Sequence, residues 1–174
     1  MTNEFSNSVI LPDDLPVVKT PEFNPIDRKY LRLIYIRQLI FLIFMASAVV
    51  GFIIVAGEKA PNILPWIFGG TVALLFCFSF IITWLSFPYR GYLVREKDIA
   101  YKRGLIKFQL TSIPFSRIQH VELIQGVLAK KMNLASIKVY TAGGSSDDLQ
   151  IPGLPIEKAR QIREFLTGKI SSDE

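Results

Sequence analysis

Cysteine and histidine are almost absent from this 174-residue chain, which has one of each, Cys77 and His120. A single cysteine excludes an internal disulfide and a cysteine-based metal site within one chain. The other available metal ligands are carboxylates, and Asp147 and Asp148 are neighbours in a loop-like stretch, where carboxylates usually stay hydrated. We therefore expect neither a metal site nor a cofactor.

Charge is absent from two long stretches of the chain. Residues 39–56 and residues 63–87 contain 18 and 25 residues, respectively, without a charged side chain. A helix of 18 residues rises about 27 Å, close to the roughly 30 Å hydrocarbon core of a bilayer. We expect two membrane-spanning helices, because a polar stretch of 38 residues before the first one argues against a cleaved signal peptide.

Neither stretch contains Asp, Glu, Lys, Arg or His, the side chains that mark ion and substrate paths in channels and transporters. This absence favours a membrane anchor. Small residues spaced four apart, Ser47 with Gly51 and Gly69 with Ala73, would let the helices approach each other or a second copy closely.

Positive charge flanks both stretches on one side. The link at residues 57–62 carries only Lys59, which Glu58 offsets, whereas several cations lie at the other two ends: Arg28, Lys29, Arg32 and Arg37, and then Arg90, Arg95 and Lys97. The positive-inside rule predicts that both termini are cytoplasmic. We expect a multi-pass membrane protein.

The ends of the two helices have sequence signals of their own. Asn24 is suited to the N-cap and Pro25 to the first helical position, so the hairpin is predicted over residues 25–88. Trp84 marks a membrane interface, and Pro88 ends the second helix. Residues 1–24, which contain three prolines and scattered polar side chains, are predicted to form a flexible cytoplasmic tail.

Beyond residue 88 the pattern changes to the alternation of antiparallel strands. Residues 92–97 and 99–103 form a hairpin, and the chain then turns at Gly104 into a strand in which Ile106, Phe108 and Leu110 share one face. In residues 118–124 neither face is cleanly apolar, which predicts a twist or a bulge. Residues 143–148 are predicted to form a hairpin loop.

Two helical elements complete the module. Residues 127–133 fit a short helical turn with Val127 pointing inward, and Asn133 fits the left-handed conformation that closes such a turn. Pro155 fits the start of a last amphipathic helix, and Gly168 fits its end. About seven short strands capped by this helix give an α+β membrane protein. The module spans residues 89–170 and is followed by a tail at residues 171–174.

Three motifs carry a resemblance to a known family. They are the strand motif RIQ-x-V at residues 117–121, TAGG at residues 141–144 and IPGL at residues 151–154, which precedes a helix containing Ala159. Together with the two spans, they resemble the YdbS-type bacterial membrane proteins with a pleckstrin-homology-like (PH-like) domain. The resemblance covers roughly residues 30–168. It implies a split β-barrel and a binding or scaffolding role, and it brings no catalytic residues.

Two alternatives to a binding module are weak. His120 and Glu122 lie two residues apart on one strand face, which allows a general base and an orienting acid, but no nucleophile accompanies them. Nucleic-acid binding would suit the basic charge, yet there is no recognised motif and no aromatic stacking platform. We expect a protein that is not an enzyme.

Basic charge is the most informative feature of the module. From residue 90 onward there are 14 Lys and Arg against 9 Asp and Glu, an excess equal to the chain's net charge of +5. Cations near an anionic leaflet each contribute about 1 kcal/mol of attraction. The candidate headgroup or partner contacts are Lys97, Lys102, Arg103, Lys107, Lys130 and Lys131. We expect a scaffold that binds the bilayer and a protein partner or itself, with another PH-like membrane protein as one candidate partner. The alternative is a sensor of an anionic lipid headgroup or small ligand.

Overall fold

The computed structural model describes residues 21–56, 63–143 and 148–172. The predicted link at residues 57–62, most of the N-terminal tail and most of the loop at residues 143–148 lie outside the described residues. Within them, two long helices are followed by two antiparallel sheets and a C-terminal helix. The α+β fold class predicted from the sequence is confirmed.

The two apolar stretches form helices α1 (Arg28–Ala56) and α2 (Ile63–Ser86). Both are long and apolar enough to cross a membrane. A 3-10 turn, Phe87–Tyr89, ends α2 around Pro88, as the sequence predicts.

The predicted start of the first helix is wrong. Residues Asn24–Pro25 form a short strand, β1, and the side chain of Asp27 caps α1 instead, accepting a hydrogen bond of 2.7 Å from the Lys29 N–H. Asp is a good N-cap residue because its carboxylate satisfies a free N–H of the first turn. The predicted N-cap, Asn24, lies three residues before the observed one, Asp27. Local sequence could not show this, because Pro25 belongs to β1 through its pairing with Gly91, 66 residues later in the chain.

The first sheet has the order β1-β2-β3-β4, with β2 at Gly91–Val94, β3 at Asp98–Arg103 and β4 at Gln109–Pro114. Tyr92 pairs with Tyr101, and Tyr101 pairs with Thr111. The predicted strand through residues 105–108 is wrong, because those residues form the turn that Gly104 opens with φ of 104°. Only glycine adopts that conformation readily.

The second sheet has the order β5-β6-β7, with β5 at Ile118–Ile124, β6 at Leu134–Thr141 and β7 at Leu149–Pro155. The register shifts between Ile118 and His120, so Gln119 is an extra residue. This bulge explains the mixed alternation: Ile118, Val121 and Leu123 all turn inward. The predicted irregularity of this strand is confirmed.

Helix α3 (Val127–Lys131) connects β5 to β6, and Asn133 closes it with φ of 54°, as predicted. Val127 does not point inward, because 79% of its surface is exposed. Helix α4 (Ile156–Ser172) continues past Gly168, so its predicted end is wrong. A Cβ at Gly168 would meet nothing within 4 Å, so no contact forces the chain to leave the helix there.

The core lies between the two sheets and α4. Its fully buried side chains include Ile99, Ile137, Ile151, Leu154 and Leu166. Burying such a side chain contributes about 1.5–3 kcal/mol relative to leaving it exposed. The core is therefore the main source of the domain's stability, and the residues at its edge are free to serve other roles.

The first helix is attached directly to this domain. Ile26 belongs to the core, Leu33 is buried, and the Asp27 N–H donates to the Gly153 carbonyl of β7 at 3.3 Å. Gly153 has φ of 72°, and a Cβ there would lie 2.5 Å from the Cβ of Tyr30. The start of α1 therefore packs on bare backbone of β7, which fixes the domain against the helix.

Candidate functional site: a rim of cations and apolar side chains

The register of the first sheet decides which of its turns lie near the long helices. β2 begins two residues after the 3-10 turn that ends α2, and Gly91 pairs with Lys102. Strand β3 therefore runs back toward the helices, and the β3–β4 turn at residues 104–108 lies at their end of the domain. The β2–β3 turn lies at the opposite end. We call the end next to the helices the helix-proximal rim, formed by residues 102–110 and 124–131.

The β3–β4 turn exposes an unusual amount of apolar surface. Ile106 is 82% exposed and Phe108 is 65% exposed, and Leu105 and Leu110 beside them are also exposed. Lys107 is exposed between the two most exposed residues. Sequence alternation predicts only that Ile106, Phe108 and Leu110 share one strand face, and the pattern alone does not show that this surface lies outside the core.

The cations of this turn differ in their contacts. The Lys102 Nζ lies 4.5 Å from the centre of the Phe23 ring, a cation–π contact on the outer face of the sheet. Arg103 donates from Nε and Nη2 to the Gln109 Oε1 at 3.2 and 3.0 Å. Its head is thereby held to the strand, while Lys107 remains exposed.

Helix α3 forms the other part of the rim. Its exposed Lys130 and Lys131 follow Val127, and a cavity of about 330 Å³ separates Val127 from Leu33 and Arg37 of α1. Leu33 and Arg37 lie one turn apart on α1, just before its uncharged stretch begins at residue 39. Because α3 lines the same cavity as these two residues, it is level with the start of that stretch. Lys130 and Lys131 belong to the same five-residue helix, so they lie at this end of the domain.

Lys97 lies at the opposite end of the domain, in the β2–β3 turn. That turn is closed by Arg95, whose Nε donates to the Asp98 Oδ1 at 2.6 Å, and by the Ser112 hydroxyl, which donates to the Asp98 Oδ2. The hydrogen bond from Arg95 is the main cause that lowers the pKa of Asp98. Five of the six predicted contact residues thus lie at the rim, in two groups, and Lys97 does not join them.

His120 and Glu122 do not contact each other in the way a general base and its orienting acid would. The His120 ring stacks on Tyr140, with centroids 4.1 Å apart, and the Tyr140 hydroxyl donates to the Glu122 Oε2 at 2.9 Å. The Lys138 Nζ also lies over the Tyr140 ring, 4.2 Å from its centre. A hydrogen bond with Tyr140 is the main cause that raises the pKa of Lys138. The arrangement is a cross-strand ladder on an exposed face.

Strand β4 offers a second kind of contact surface. Among the residues that the structure describes, no strand pairs with its outer edge. A cavity of about 500 Å³ opens beside it, lined by Ser112, Arg117 and Thr141. The buried Thr141 hydroxyl has no hydrogen-bond partner within the described part of the chain. An unpaired edge of six residues is a template for an added strand.

The two long helices are joined by a polar contact that the sequence did not reveal. The Gln38 Nε2 donates to the Ser79 and Thr83 hydroxyl oxygens at 2.9 and 3.0 Å. Tyr35 stacks on Phe80 nearby, with centroids 4.1 Å apart. Small-residue spacing predicts a close approach of the helices, whereas the contacts between them in the structure include these larger polar and aromatic side chains. Within the described residues, no group of His, Cys, Asp and Glu could hold a metal ion.

Two apolar helices that carry a small two-sheet domain with a C-terminal helix define a membrane protein with a PH-like module. The family model for the bacterial PH domain matches residues 38–170, so the chain belongs to this family. It is 31% identical over 111 residues to UPF0699 transmembrane protein YdbS of Bacillus subtilis (strain 168), a match that covers 63% of this chain. The same match spans 65% of that relative, just under two thirds of its length. No solved structure matches the chain.

These comparisons confirm the resemblance predicted from the sequence. The chain is a transmembrane protein with a bacterial PH domain, and it therefore contacts the lipid bilayer. Its relatives define a membrane-protein family rather than a known enzyme family.

Proposed function

We propose that this protein is a non-enzymatic scaffold of the bacterial cytoplasmic membrane. Both long helices cross the bilayer, both termini are cytoplasmic, and the domain at residues 89–170 binds a protein partner at the membrane surface. The hairpin consists of α1 and α2, whereas β1, at Asn24–Pro25, and α4, which runs to Ser172, belong to the domain. The partner is a second copy of this chain or another membrane protein with a PH-like domain.

The distribution of charge supports this orientation. Arg28, Lys29, Arg32 and Arg37 all lie in the first three turns of α1, at the end next to the domain, and Arg90 follows α2 at the same end. The positive-inside rule therefore favours the domain on the cytoplasmic side. A Cys introduced at Lys59 should be labelled from outside intact cells, whereas one at Ser172 should not.

The observation that carries the scaffolding role is the open edge of β4 on a rigidly mounted domain. Added strands bind through main-chain hydrogen bonds, so such an edge recognises a partner without a deep pocket. The contact between Gly153 and the start of α1 holds this edge in a fixed direction relative to the membrane. A fixed and accessible edge suits assembly of complexes in one orientation.

Photo-cross-linking in cells tests this role. A cross-linking amino acid is placed at Ser112 on β4, and a control is placed at Glu164, an exposed position on α4. We expect adducts of defined mass from Ser112, identified as this chain or a PH-like membrane protein. The scaffold proposal fails if Ser112 gives no more adduct than Glu164.

The rim favours a second candidate, a sensor of anionic lipid headgroups. Lys107, Lys130 and Lys131 are exposed at the end of the domain next to the helices, where a leaflet would lie. In nanodiscs, charge reversal of Lys107 and Lys130 should reduce enrichment of a labelled anionic lipid, and added salt should weaken it. The matched Lys97→Glu variant, at the far end, should have no effect. Equal enrichment in all variants would reject the sensor.

A further inference from the structure

We propose that the β3–β4 turn is a third membrane contact, in which Ile106 and Phe108 insert into the interface of the same leaflet that α1 and α2 cross. This inference rests on the proposed placement of the two helices in a bilayer. It does not depend on the scaffolding role.

The turn has the reach that insertion requires. Lys102 is level with Gly91 because the two residues pair across β2 and β3. Three more residues of extended chain advance about 10 Å at most, at roughly 3.3 Å per residue. From Gly91, the chain leads back through the 3-10 turn into α2 at this same end of the domain, and Trp84 lies seven residues back, about 10 Å away at 1.5 Å per residue. The turn and Trp84, a residue type that prefers the membrane interface, therefore both lie within about 10 Å of the level of Gly91.

Exposed apolar surface in the domain is concentrated at this end. Beyond residue 90, seven large apolar side chains of the described residues are exposed, and six of them lie at the rim: Leu105, Ile106, Phe108, Leu110, Ile124 and Val127. The seventh, Phe165, packs edge-on against Phe115. A soluble surface would scatter such residues singly, whereas four of these six fall within residues 105–110, a concentration that marks an interaction site.

The charges around the patch fit a lipid surface. Residues 99–116 contain three cations, Lys102, Arg103 and Lys107, and no Asp or Glu. Apolar side chains flanked by lysine are the composition of interfacial segments, because the apolar groups enter the acyl boundary while the ammonium groups remain among anionic headgroups. A protein partner would have to supply an apolar and acidic surface at the depth already occupied by the leaflet.

Depth-dependent quenching in the full-length protein tests the insertion. In a Cys77→Ser background, Ile106→Cys is labelled with an environment-sensitive fluorophore, and the protein is reconstituted in phosphatidylethanolamine and phosphatidylglycerol vesicles containing nitroxide-labelled lipid. The control label is at Glu96→Cys, an exposed position in the far turn. We expect blue-shifted emission and several-fold stronger lipid quenching at residue 106 than at residue 96.

Tryptophan fluorescence separates the two proposals. Both tryptophans, Trp66 and Trp84, lie in α2, so their quenching by the same lipids reports whether the helix is in the bilayer. Quenched tryptophans with an unquenched label at residue 106 would overturn the insertion and leave the helix placement intact. Unquenched tryptophans would overturn the placement itself.

Two further outcomes are decisive. A blue-shifted label that lipid does not quench, and whose shift disappears when the protein is diluted in lipid, would mean that a second copy covers the turn, which overturns the proposal. If Ile106→Cys fails to fold, Phe108→Cys provides the same readout, and quenching there equal to that at residue 96 would also overturn it.

Discussion

Replacing Gly153 with alanine should uncouple the domain from the first helix. Gly153 is buried with φ of 72°, and an added Cβ would lie 2.5 Å from the Cβ of Tyr30, 2.7 Å from its Cδ1 and in contact with its Cγ. A change of rotamer could move the ring atoms, but the Tyr30 Cβ is fixed to the backbone of α1 and cannot move without the helix. Either the start of α1 shifts or β7 does.

Two terms set the size of the effect. A left-handed conformation costs a residue other than glycine about 1–2 kcal/mol. Overpacking at a well-filled contact costs about 1–3 kcal/mol more. We expect Gly153→Ala to lower the free energy of unfolding of the domain by about 2–5 kcal/mol. Gly126→Ala is the matched control, because Gly126 has φ of −73° and a Cβ there would meet nothing within 4 Å. Its effect should stay within about 0.5 kcal/mol.

Urea titration in mild detergent, followed by pulse proteolysis, measures the free energy of unfolding of both variants. Hydrogen exchange then locates the change, which should be largest in β7 and in the first turns of α1. If Gly153→Ala is as stable as Gly126→Ala, or if exchange rises only in distant strands, the start of α1 is not docked on β7 and the fixed mounting of the domain is wrong.

Two other predictions concern the far turn and the hairpin. Because Arg95 lowers the pKa of Asp98, their interaction stabilises the fold above the ordinary aspartate pKa, and that stability is lost as pH falls through the lowered value. Asp98→Asn should therefore flatten the acid dependence of unfolding below about pH 4, and an unchanged slope would contradict this. Gln38→Leu should weaken helix pairing by about 0.6–2 kcal/mol. Spin labels on the two helices should then show a broader distance distribution, and an unchanged distribution would exclude the role of Gln38.

Local sequence patterns were sufficient to predict the structural features that depend on neighbouring residues in the chain. The two spans follow from uninterrupted apolar stretches, and the left-handed Asn133 follows from its place at the end of a short helix. The bulge in β5 was visible as a defect in alternation. Its position at Gln119 was not, because only pairing with β6 decides which residue is extra.

Features that depend on distant contacts were missed or misplaced. Strand β1 exists because Asn24 pairs with Tyr92, 68 residues away. The exposed Ile106 and Phe108 have the alternation of a buried strand, and only the filled core shows that they lie outside it. Gln38 sits at the edge of an apolar stretch with no local sign of its two hydroxyl partners. The sequence predicted the candidate site as a set of cations. The exposed apolar side chains beside them, such as Ile106 and Phe108, were recognised as part of the site only from the fold.

The same contacts connect the anchor to the proposed binding surfaces. If Gly153 holds the domain against α1, the rim cannot turn away from the leaflet, and the β4 edge cannot take every direction relative to the membrane. The orientation available to a partner is then set before it binds, which reduces the entropy lost on association. Loosening this contact should therefore weaken partner binding at the β4 edge even though Gly153 touches no part of that edge. A Gly153→Ala variant that retains full Ser112 cross-linking would show that the edge works without the fixed mounting.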